Sequence, residues 1–509
     1  MATEQQRFDE LYKLGLQDGK IIFAGALLQR AAKNFPNRMA LLCNHESITF
    51  ADLYKRASYV SHVLKNAGVQ PRDRVFLLFE NSIDFYVAYF GAWQTGAIIA
   101  PLNTFLHEKE LHHIIDDAKP KAMIMQSTLK SDFKDLVPFI FTEKDLLPVE
   151  KIAKEHADYP VYSLEPEELA ILLYTSGTTG FPKGVMLSSK NIITNLIQSL
   201  ARLQINQDEY VFAVLPLFHA FAQCACVWGP MFAGATTIVV PKITRTEILR
   251  GLAHKPTVFL GVPALFGIIC LLKTAPLDSV KYFMSGGDAL PDKIRSAFEL
   301  IYGRKLCNGY GLTETSPVIS AVADDALIPA NCIGRPVMGV LASIRDEQGK
   351  ELALGEIGLL WVKGDNVMLG YYQAPEQTQK ILVDGWLNTG DLATIDSQGR
   401  IYIQGREKDV IANKGFKIYP QEIENVLLTH PAVMAAGVVG KVDEEAGEIP
   451  VAFVALRENS SVTEEELKTL CANNLASYKI PRQFIVLDKL PMTATGKVDK
   501  KKLKADYFK

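Results

Sequence analysis

The sequence lacks both a long uninterrupted hydrophobic stretch and a cysteine spacing that binds metals. Its most apolar regions, near residues 84–102 and 256–272, are interrupted by proline, glycine and polar residues, so neither is a convincing membrane span. The seven cysteines are odd in number, scattered and without CxxC spacing, which argues against a disulfide framework and a cysteine metal site. We therefore expect a reduced, cytoplasmic setting without a transmembrane segment; a peripheral contact with a membrane is left open.

The chain also lacks a strong excess of charge of either sign. Its 54 lysine and arginine residues nearly balance 57 aspartate and glutamate residues, for a formal net charge of −3, so nothing suggests nucleic acid as a partner. Acidic residues Glu4, Asp9 and Glu10 stand where a secretory signal would have basic residues and an apolar run. A length of 509 residues with 48% hydrophobic content is typical of a globular protein of two or more domains.

Strand and helix alternate through the first third of the chain, which predicts an α/β fold. Val75–Phe79 is a continuous apolar run, as in a buried parallel strand. Helical spacing or short apolar runs continue a βαβαβ pattern at residues 82–95, 97–100, 108–118 and 121–125. Similar alternation between residues 170 and 310 predicts a large α/β body.

The chain changes character after residue 330. From 331 to 405, short segments with frequent glycine-containing turns predict a β-rich subdomain of hairpins. Beyond Arg406, about 100 residues with their own strands and helices are enough for a small α+β domain. We therefore predict an N-terminal body of residues 1–405, a boundary segment at 406–410 and a C-terminal domain of residues 411–509.

The segment Tyr174–Val185, YTSGTTGFPKGV, combines hydroxyl side chains, glycines and one lysine, Lys183. Hydroxyls, unhindered backbone N–H groups and a cation are what a polyphosphate needs from a loop. A short apolar run leads into the segment, as a buried strand would, and residues 186–200 are predicted to be helical. The spacing differs from the GxxxxGK[ST] loop because Pro182 intervenes. A flexible linker is the alternative, but linkers rarely lie between an apolar strand and a helix.

A second cluster, Asn308–Pro317, has the sequence NGYGLTETSP. Tyr310 lies between two glycines, so an aromatic face stands beside backbone that a flat ring can approach closely. Glu314 supplies a carboxylate for a hard cation such as Mg²⁺, which phosphate chemistry usually needs. Taken alone, a Gly-Tyr-Gly turn is more often structural.

Three further segments carry charged residues that are ambiguous when taken singly. Asp391 lies in an NTGD segment predicted to end a strand. Its carboxylate can accept both hydroxyls of a ribose, although a lone aspartate in a turn is more often an ordinary turn former. Residues 405–424 join a run of charges to a KGF sequence and a proline-started helix, which a solvated linker would also do. Lys497 lies on a Thr/Gly loop near the C-terminus, where an isolated lysine is usually solvated.

Together and in this order, the five segments resemble the motifs of the adenylate-forming superfamily, which includes acyl-CoA synthetases, luciferases and the adenylation domains of peptide synthetases. The resemblance covers nearly the whole chain, from ITFADLY at 48–54 to TGK at 495–497. Three segments are similar to the branch of fatty-acyl-CoA and coumarate-type ligases: LPLFHAFA at 215–222, SGGDAL at 285–290 and YPQEIE at 419–424.

The resemblance implies a two-step activation of a carboxylic acid. The acid attacks the α-phosphate of ATP to give acyl-AMP and pyrophosphate, and a thiol, usually that of coenzyme A, then displaces AMP to form a thioester. ATP, Mg²⁺ and coenzyme A are therefore expected. Negative charge develops at phosphorus and on the departing pyrophosphate, so fixed cations and N–H donors are expected to dominate catalysis.

The resemblance also assigns residues to the nucleotide site by matching position. It implies that the β- and γ-phosphates are held by Thr175, Ser176, Gly177, Thr178, Thr179, Gly180 and Lys183. It implies that Mg²⁺ is held by Glu314 together with Thr175. The adenine and acyl-carbonyl region would be lined by Gly286, Gly287, Asp288, Asn308, Gly309, Tyr310, Gly311 and Thr313. Asp391 and Arg406 would bind the ribose.

The catalytic cation implied by the resemblance is Lys497, which would bridge carboxylate and phosphate oxygens during adenylation. For the second step, the C-terminal domain would rotate as a mobile lid about a hinge at Lys408, and Lys414 and Gly415 would line the approach of the thiol. A lysine that some coumarate-type ligases carry before the KGF sequence is absent here. Lys417 is therefore expected to supply the additional phosphate contact.

His219 and the identity of the acid complete the expectations. A lone histidine in an apolar stretch is usually a core or surface residue, but LPLFH matches the family position beside the substrate carboxylate, so we expect His219 to gate or orient the acid. Gly286, Gly287 and Gly309 lack side chains that would block a pocket, and residues 216–232 are apolar. Both features favour a medium- or long-chain fatty acid. The alternatives are an aryl acid, a carrier protein in place of coenzyme A, and a catalytically inactive regulator that binds nucleotide or acyl groups. The sequence does not indicate an oligomeric state.

Overall fold

The computed structural model describes most of the chain. The described residues are 3–129, 133, 135–146, 160–162, 164–175, 182–322, 329, 331–414, 416–492 and 498–508. Seven predicted site residues lie outside these ranges, and their roles stay predictions: Ser176, Gly177, Thr178, Thr179, Gly180, Gly415 and Lys497. Within the described ranges, no helix combines the length and the apolar character that crossing a membrane requires.

The predicted βαβαβ pattern forms in the first third of the chain. Strands Arg74–Leu78, Ile98–Pro101 and Ala122–Met125 pair in parallel. The helices Ile83–Gln94 and Glu108–Ala118 connect them. The three strands are almost wholly buried, as their continuous apolar runs predict.

These strands belong to a seven-stranded mixed sheet. Its strand order is Gly370–Tyr371, Lys183–Ser188, Leu169–Thr175, Ile98–Pro101, Arg74–Leu78, Ala122–Met125 and Phe139–Thr142. Lys183–Ser188 runs antiparallel to Leu169–Thr175, so the chain reverses direction across the Ser/Thr/Gly segment between them. We call these two strands the phosphate hairpin.

The helix predicted at residues 186–200 begins later than the sequence suggests. The first residues of that segment extend the strand Lys183–Ser188, which pairs with Leu169–Thr175. A short apolar run fits a helix and a buried strand equally well, and here the pairing with the neighbouring strand decides. The helix is Ser189–Leu203, and the side chain of Ser188 caps it.

A second, fourteen-stranded sheet runs through the rest of the body. Its strand order is Leu341–Arg345, Gly358–Lys363, Trp386–Ile395, Ile401–Arg406, Cys332–Pro336, Val318–Ala321, Cys307–Gly311, Tyr282–Ser285, Val258–Gly261, Tyr210–Ala213, Thr236–Val239, Met39–Cys43 and Glu46–Thr49, with Leu382–Val383 paired to Trp386–Ile395. The strands from Met39–Cys43 through Cys307–Gly311 are parallel. The β-rich segment predicted at 331–405 is antiparallel and continues this sheet through hydrogen bonds, so it is not a separate sheet.

Helices connect the strands of the body. The α-helices are Glu4–Leu14, Leu27–Asn34, Phe50–Asn66, Ile83–Gln94, Glu108–Ala118, Glu143–Leu146, Ser189–Leu203, Ala220–Ala222, Gly229–Ala233, Arg245–Leu252, Pro263–Leu272, Asp292–Tyr302 and Pro375–Ile381. Ala24–Ala26, Thr313–Thr315 and Glu407–Asp409 are 3₁₀-helices. Gln223–Trp228 is a π-helix. Leu16–Gln17 and Lys20–Ile21 form a small hairpin.

The C-terminal domain has its own five-stranded sheet, as the change of pattern after Arg406 predicts. Its strand order is Phe416–Ile418, Ile411–Asn413, Gly447–Leu456 and Val433–Asp443, with Gln483–Leu487 paired to Gly447–Leu456. Its helices are Pro420–Thr429, Glu464–Asn474 and Lys500–Tyr507, with a 3₁₀ turn at Ser477–Lys479.

The hydrophobic cores follow the same division. The largest core of the body contains buried residues from Leu11 to Ile401. Two further cores contain only residues of the C-terminal part, from Ile411 onward. The mixed α/β fold, with a large N-terminal and a small C-terminal domain, therefore agrees with the predicted fold class, whereas the boundary residues stay predictions.

Candidate active site

Four neighbouring parallel strands gather the predicted residues at one edge of the large sheet. In sheet order, these strands are Cys307–Gly311, Tyr282–Ser285, Val258–Gly261 and Tyr210–Ala213. The segments that follow their carboxyl ends contain, in the same order, Thr313 and Glu314, Gly286 to Asp288, Val262, and His219. Parallel strands share their carboxyl edge, where open α/β sheets bind ligands. The fold thus brings together residues that lie up to 95 positions apart, between 219 and 314.

The phosphate hairpin fixes both ends of the predicted phosphate loop. Thr175 and Lys183 are paired across its two strands. The residue before Thr175, Tyr174, is anchored because its hydroxyl donates to Asp117 Oδ2 at 2.6 Å. Burial, reinforced by the Asp117 carboxylate, raises the pKa of Tyr174, so this hydroxyl stays a neutral donor. Residues 176–181, between the two ends, lie outside the described part of the chain.

Glu314 lies in the short turn Thr313–Thr315, which follows the strand Cys307–Gly311. The Tyr371 hydroxyl donates to Glu314 Oε1 at 2.8 Å. Burial, together with the charge of Glu314, raises the pKa of Tyr371, so Tyr371 keeps its proton. Lys183 Nζ lies 5.4 Å from the centroid of the same ring. The predicted phosphate-binding Lys183 and the predicted metal ligand Glu314 therefore both contact the side chain of Tyr371.

A divalent metal at this place would take most of its ligands from a substrate. Among the residues that the structure describes, no group of three or more His, Cys, Asp or Glu side chains could hold a metal ion. Mg²⁺ is usually bound through one or two carboxylates together with phosphate oxygens. The half-buried carboxylate of Glu314, oriented through one oxygen by Tyr371, suits a metal that arrives with ATP.

Asp391 forms a buried polar centre with two other predicted nucleotide residues. The Tyr310 hydroxyl donates to Asp391 Oδ2, and Arg406 Nε lies 2.8 Å from Oδ1. The side chain of Asp391 is 4% exposed, whereas that of Arg406 is 42% exposed. The Asp391 charge raises the pKa of Arg406 against the opposing effect of desolvation. Each carboxylate oxygen has two lone pairs, so Asp391 can accept a ribose hydroxyl while it keeps both partners.

Asp391 lies within a strand, and the prediction that its segment ends one was wrong. The strand Trp386–Ile395 continues past it, and Asp391 pairs with Arg406 on the neighbouring strand. Gly390 has a φ of 68°, and the register shifts between Leu392 and Ala393. The turn-like sequence thus bends the strand locally without ending it.

The remaining predicted residues of this region belong to the last parallel strand and its turn. Asn308 is buried, and its carbonyl accepts from the Val322 N–H at 2.9 Å. A side chain at Gly311 would collide with the Pro317 carbonyl, so only glycine fits. Asp288 is exposed, and its Oδ1 accepts from the N–H of the next residue at 2.9 Å.

Apolar side chains occupy the room beside the predicted pocket glycines. A Cβ added at Gly286 would lie 3.3 Å from the Phe221 ring, and one at Gly287 would lie 4.0 Å from it. A Cβ at Gly309 would lie 2.9 Å from Met284 Sδ. These three glycines therefore lie against the side chains of Phe221, Val262 and Met284, which we call the apolar wall.

His219 lies on a loop that a buried asparagine holds in place. The side-chain amide of Asn81 donates to the Leu215 carbonyl at 2.9 Å, and its oxygen accepts from the Leu217 N–H at 3.0 Å. His219 Nδ1 accepts from the Phe221 N–H at 3.2 Å. His219 and Phe221, one side chain of the apolar wall, therefore belong to one segment that Asn81 holds in place.

Two lysines near or within the C-terminal domain, Lys500 and Lys408, have shifted pKa values. Lys500 Nζ lies 2.7 Å from Glu424 Oε1. Burial opposes its charge, but the carboxylates of Glu424 and, more weakly, of Asp288 raise the pKa of Lys500. Desolvation and, more weakly, the positive charges of Arg406 and Lys501 lower the pKa of Lys408.

Two predicted lysines of the C-terminal domain lie at the surface. Lys417 Nζ is 2.9 Å from Glu347 Oε1, and the two side chains are 59% and 68% exposed. Lys414 is exposed, has a φ of 48° and donates its backbone N–H to the Ala446 carbonyl at 2.8 Å. The phosphate contact predicted for Lys417 and the thiol contact predicted for Lys414 stay predictions.

Comparison with known proteins decides the family. The sequence pattern of AMP-binding enzymes matches residues 28–372, and that of the AMP-binding enzyme C-terminal domain matches residues 422–497. The chain belongs to the AMP-binding enzyme family. This confirms the resemblance to adenylate-forming enzymes that the five motifs indicate.

Relatives of this AMP-binding enzyme include ligases for different acids. A long-chain-fatty-acid–CoA ligase of Bacillus subtilis (strain 168) is 33% identical over 524 residues, which cover 94% of this chain and 93% of the relative. The 4-coumarate–CoA ligase 1 of Solanum tuberosum is 31% identical over 504 residues, which cover 92% and 91%. The protein is an AMP-forming acyl-CoA ligase whose reaction passes through an adenylate.

Solved structures share the fold over nearly the whole chain. ATP-bound MatB from Rhodopseudomonas palustris has a TM-score of 0.88 at 29% identity, with 96% of this chain and 99% of that chain covered. The o-succinylbenzoate CoA synthetase MenE of Bacillus subtilis, in complex with ATP and a magnesium ion, has a TM-score of 0.85 at 29% identity, with 94% and 99% covered. ATP and coenzyme A thus fit this AMP-binding enzyme as substrates.

Sequence reasoning missed residues that act through tertiary contacts. Tyr371 has no motif of its own, and only the pairing of Gly370–Tyr371 with the phosphate hairpin brings it to the site. Asp117 anchors Tyr174 from the end of a helix. Phe221 could have been found, because it lies two residues after His219 in the LPLFHAFA segment.

Proposed function

We propose that this AMP-binding enzyme converts a medium- or long-chain fatty acid to its acyl-CoA, with release of AMP and pyrophosphate. The observation that carries the proposal is the apolar wall at the strand-end edge, where Phe221, Val262 and Met284 surround the predicted glycines. Each methylene buried there contributes about 0.8 kcal/mol, so the wall favours longer chains. The similarity to the fatty-acid ligase of Bacillus subtilis supports the same substrate class.

The nucleotide is proposed to bind across the same edge. The Ser/Thr/Gly loop and Lys183 hold the β- and γ-phosphates, and Glu314 with Thr175 binds Mg²⁺ on them. Asp391 and Arg406 bind the ribose, since the two side chains form an ion pair in which the Asp391 carboxylate is almost fully buried. Gly286–Asp288 and Asn308–Thr313 line the adenine and carbonyl region. Fixed donors and cations of this kind typically contribute about 3–4 kcal/mol each to lowering the barrier.

The C-terminal domain is proposed to act as a lid that serves the two steps in turn. Lys497 enters the site for adenylation, and the charge of Asp288 contributes weakly to the raised pKa of Lys500, three residues after Lys497. Rotation about Lys408 then withdraws Lys497, and Lys414 and Gly415 line the path of the coenzyme A thiol. Lys417 supplies the additional phosphate contact in one of the two positions.

An aryl acid is the second candidate substrate. The close approach of Phe221 to Gly286 and of Met284 to Gly309 leaves less room than a fully open acyl tunnel needs. A flat ring packs well against such a wall. The similarity to a 4-coumarate–CoA ligase supports this candidate.

A pyrophosphate-release assay separates the candidates. Straight-chain acids from short to long, and aryl acids, are tested with and without coenzyme A. For a fatty-acid ligase, kcat/KM should rise up to about fourfold for each added methylene until the site is filled. Highest kcat/KM with aryl acids would overturn the fatty-acid proposal, and acid-dependent pyrophosphate release without thioester formation would point to a carrier protein as acceptor.

The variant F221A tests the apolar wall directly. Removing the ring beside Gly286 and Gly287 should change the ratio of kcat/KM between long and short acids by about tenfold or more, because the ring covers several methylenes of a bound chain and each contributes up to about fourfold. The matched control is F8A, which removes an aromatic ring from the first helix and should leave the ratio unchanged. An unchanged ratio in F221A would remove Phe221 from the acyl site.

A further inference from the structure

A bridging segment, residues 368–372, joins the two charged parts of the proposed ATP site. Its backbone N–H groups donate to the carbonyls of Gly184 and Met186 in the phosphate hairpin, at 2.8 and 2.9 Å, and to the carbonyl of Glu314 at 2.9 Å. The position of Glu314 relative to the hairpin is therefore set by this segment.

Thr378, in the helix Pro375–Ile381, fixes the backbone of the bridging segment. The Tyr371 N–H donates to Thr378 Oγ1 at 2.9 Å. Gly370 has a φ of 137°, and a Cβ there would lie 2.8 Å from Thr378 Cγ2, so glycine is needed for this close packing. Tyr371 consequently has little freedom to turn away from the site.

The side chain of Tyr371 contacts both predicted charges. Its hydroxyl donates to Glu314 Oε1 at 2.8 Å, and its ring lies under Lys183 Nζ at 5.4 Å from the centroid. An ammonium over an aromatic ring is attracted to the face of the ring. Because the ammonium has three N–H donors, those that point away from the ring stay available for phosphate oxygens.

We propose that Tyr371 is a positioning residue for the metal and triphosphate: it orients the Glu314 carboxylate toward the cation on ATP and holds Lys183 beside the phosphates. The inference rests on the proposed metal role of Glu314. Hydrogen-bond partners of metal-ligating carboxylates commonly change metal affinity by about 10- to 100-fold when they are removed. The hydroxyl and the ring have separable tasks, so they can be tested by different substitutions.

The test is Mn²⁺ binding to the full-length protein saturated with ATP, followed by electron paramagnetic resonance. Y371F keeps the ring and loses the hydroxyl, so Mn²⁺ affinity should fall about tenfold, while ATP affinity without metal, measured by calorimetry, should stay unchanged. The matched control is Y402F, which removes another tyrosine-to-carboxylate hydrogen bond, to Asp396 at 3.0 Å. It should change neither quantity.

A parallel E314Q variant distinguishes failure of this inference from failure of the proposed function. If E314Q lowers Mn²⁺ affinity and Y371F does not, the inference about Tyr371 is wrong and the metal role of Glu314 stands. If E314Q leaves Mn²⁺ affinity unchanged, the proposed metal role itself is wrong. Loss of metal-free ATP binding in Y371F would also contradict the inference, because the ring alone should maintain Lys183.

The ring is tested by Y371L. This variant should lower ATP affinity without metal by a few-fold more than Y371F does, because the attraction between Lys183 and the aromatic face is lost. Equal metal-free ATP affinities of Y371L and Y371F would contradict the role assigned to the ring.

Discussion

The body and the C-terminal domain differ in how their parts are held together. Within the body, the proposed nucleotide site depends on buried contacts, such as the 4% exposed Asp391 with its two donors. Between the body and the C-terminal domain, Lys417 and Glu347 form an ion pair whose side chains are 59% and 68% exposed. Exposed ion pairs contribute little, about 0–1 kcal/mol. The body can thus stay fixed while contacts to the other domain are exchanged.

The junction also has a small apolar contact. The buried side chains of Leu359, Trp361 and Leu392 pack against Val410 and, at the start of the next helix, against a tyrosine, Tyr419. This cluster is far smaller than the cores on either side of it. The proposed ATP site of the body is therefore held by buried contacts, whereas Lys417 belongs to a domain whose ion pair with the body is exposed.

The largest effect is expected for K497A. Removing the cation proposed to enter with the lid should slow acyl-AMP formation about 100- to 1000-fold, as loss of one fixed charge-stabilising contact does. Conversion of supplied acyl-AMP and coenzyme A to thioester should be nearly unchanged, because Lys497 is withdrawn in that step. Both half-reactions are measured separately, with K489A as control, a nearby exposed lysine. Equal loss in both would contradict a lid that serves two steps.

A smaller effect, on ATP affinity, is expected for D391N, a substitution within the N-terminal body. The variant leaves Arg406 and Tyr310 without their charged partner, so ATP affinity, measured by calorimetry, should fall about 10- to 100-fold, which corresponds to about 1.5–3 kcal/mol for bonds to a charged group. The control is D396N, because Asp396 also accepts from an arginine and a tyrosine. Similar ATP affinity in D391N and the control would exclude Asp391 from the ribose site.

The smallest effects on the adenylation rate are expected for substitutions of the interdomain ion pair between Lys417 and Glu347. E347Q removes the exposed ion pair and should change the adenylation rate by no more than about fivefold. K417A should have a larger effect than E347Q, since it also removes the proposed phosphate contact. Equal and small effects of the two substitutions would leave Lys417 as an interdomain ion pair only and remove it from the catalytic residues.

Local sequence patterns predict much of the secondary structure. The helix Glu108–Ala118 has the predicted bounds, and the helix Pro420–Thr429 begins at the proline that the sequence indicates, because amphipathic spacing and a starting proline are local signals. The predictions are wrong where the local sequence of a segment is compatible with two kinds of secondary structure. The residues before Ser188 and the NTGD segment around Asp391 are decided by pairing with neighbouring strands, and pairing depends on residues far away in the chain.

The candidate site could be predicted only in part for the same reason. Glu314 and Lys183 stand in motifs whose composition suits phosphate and metal. Tyr371 has no such signal, because its two contacts come from segments 57 and 188 positions away in numbering, at residues 314 and 183. Phe221 lies in a segment whose apolar character is visible in the sequence, but its contact with Gly286 depends on the fold, which places the carboxyl ends of parallel strands side by side.

The most direct test of the account is a crystal structure with a nonhydrolysable ATP analogue and Mn²⁺ located by its anomalous scattering. The account predicts the triphosphate between Thr175 and Lys183, with Mn²⁺ bound to the Glu314 carboxylate and the ribose at Asp391. Nucleotide bound elsewhere on the protein, or Mn²⁺ away from Glu314 while the triphosphate occupies the loop, would contradict it.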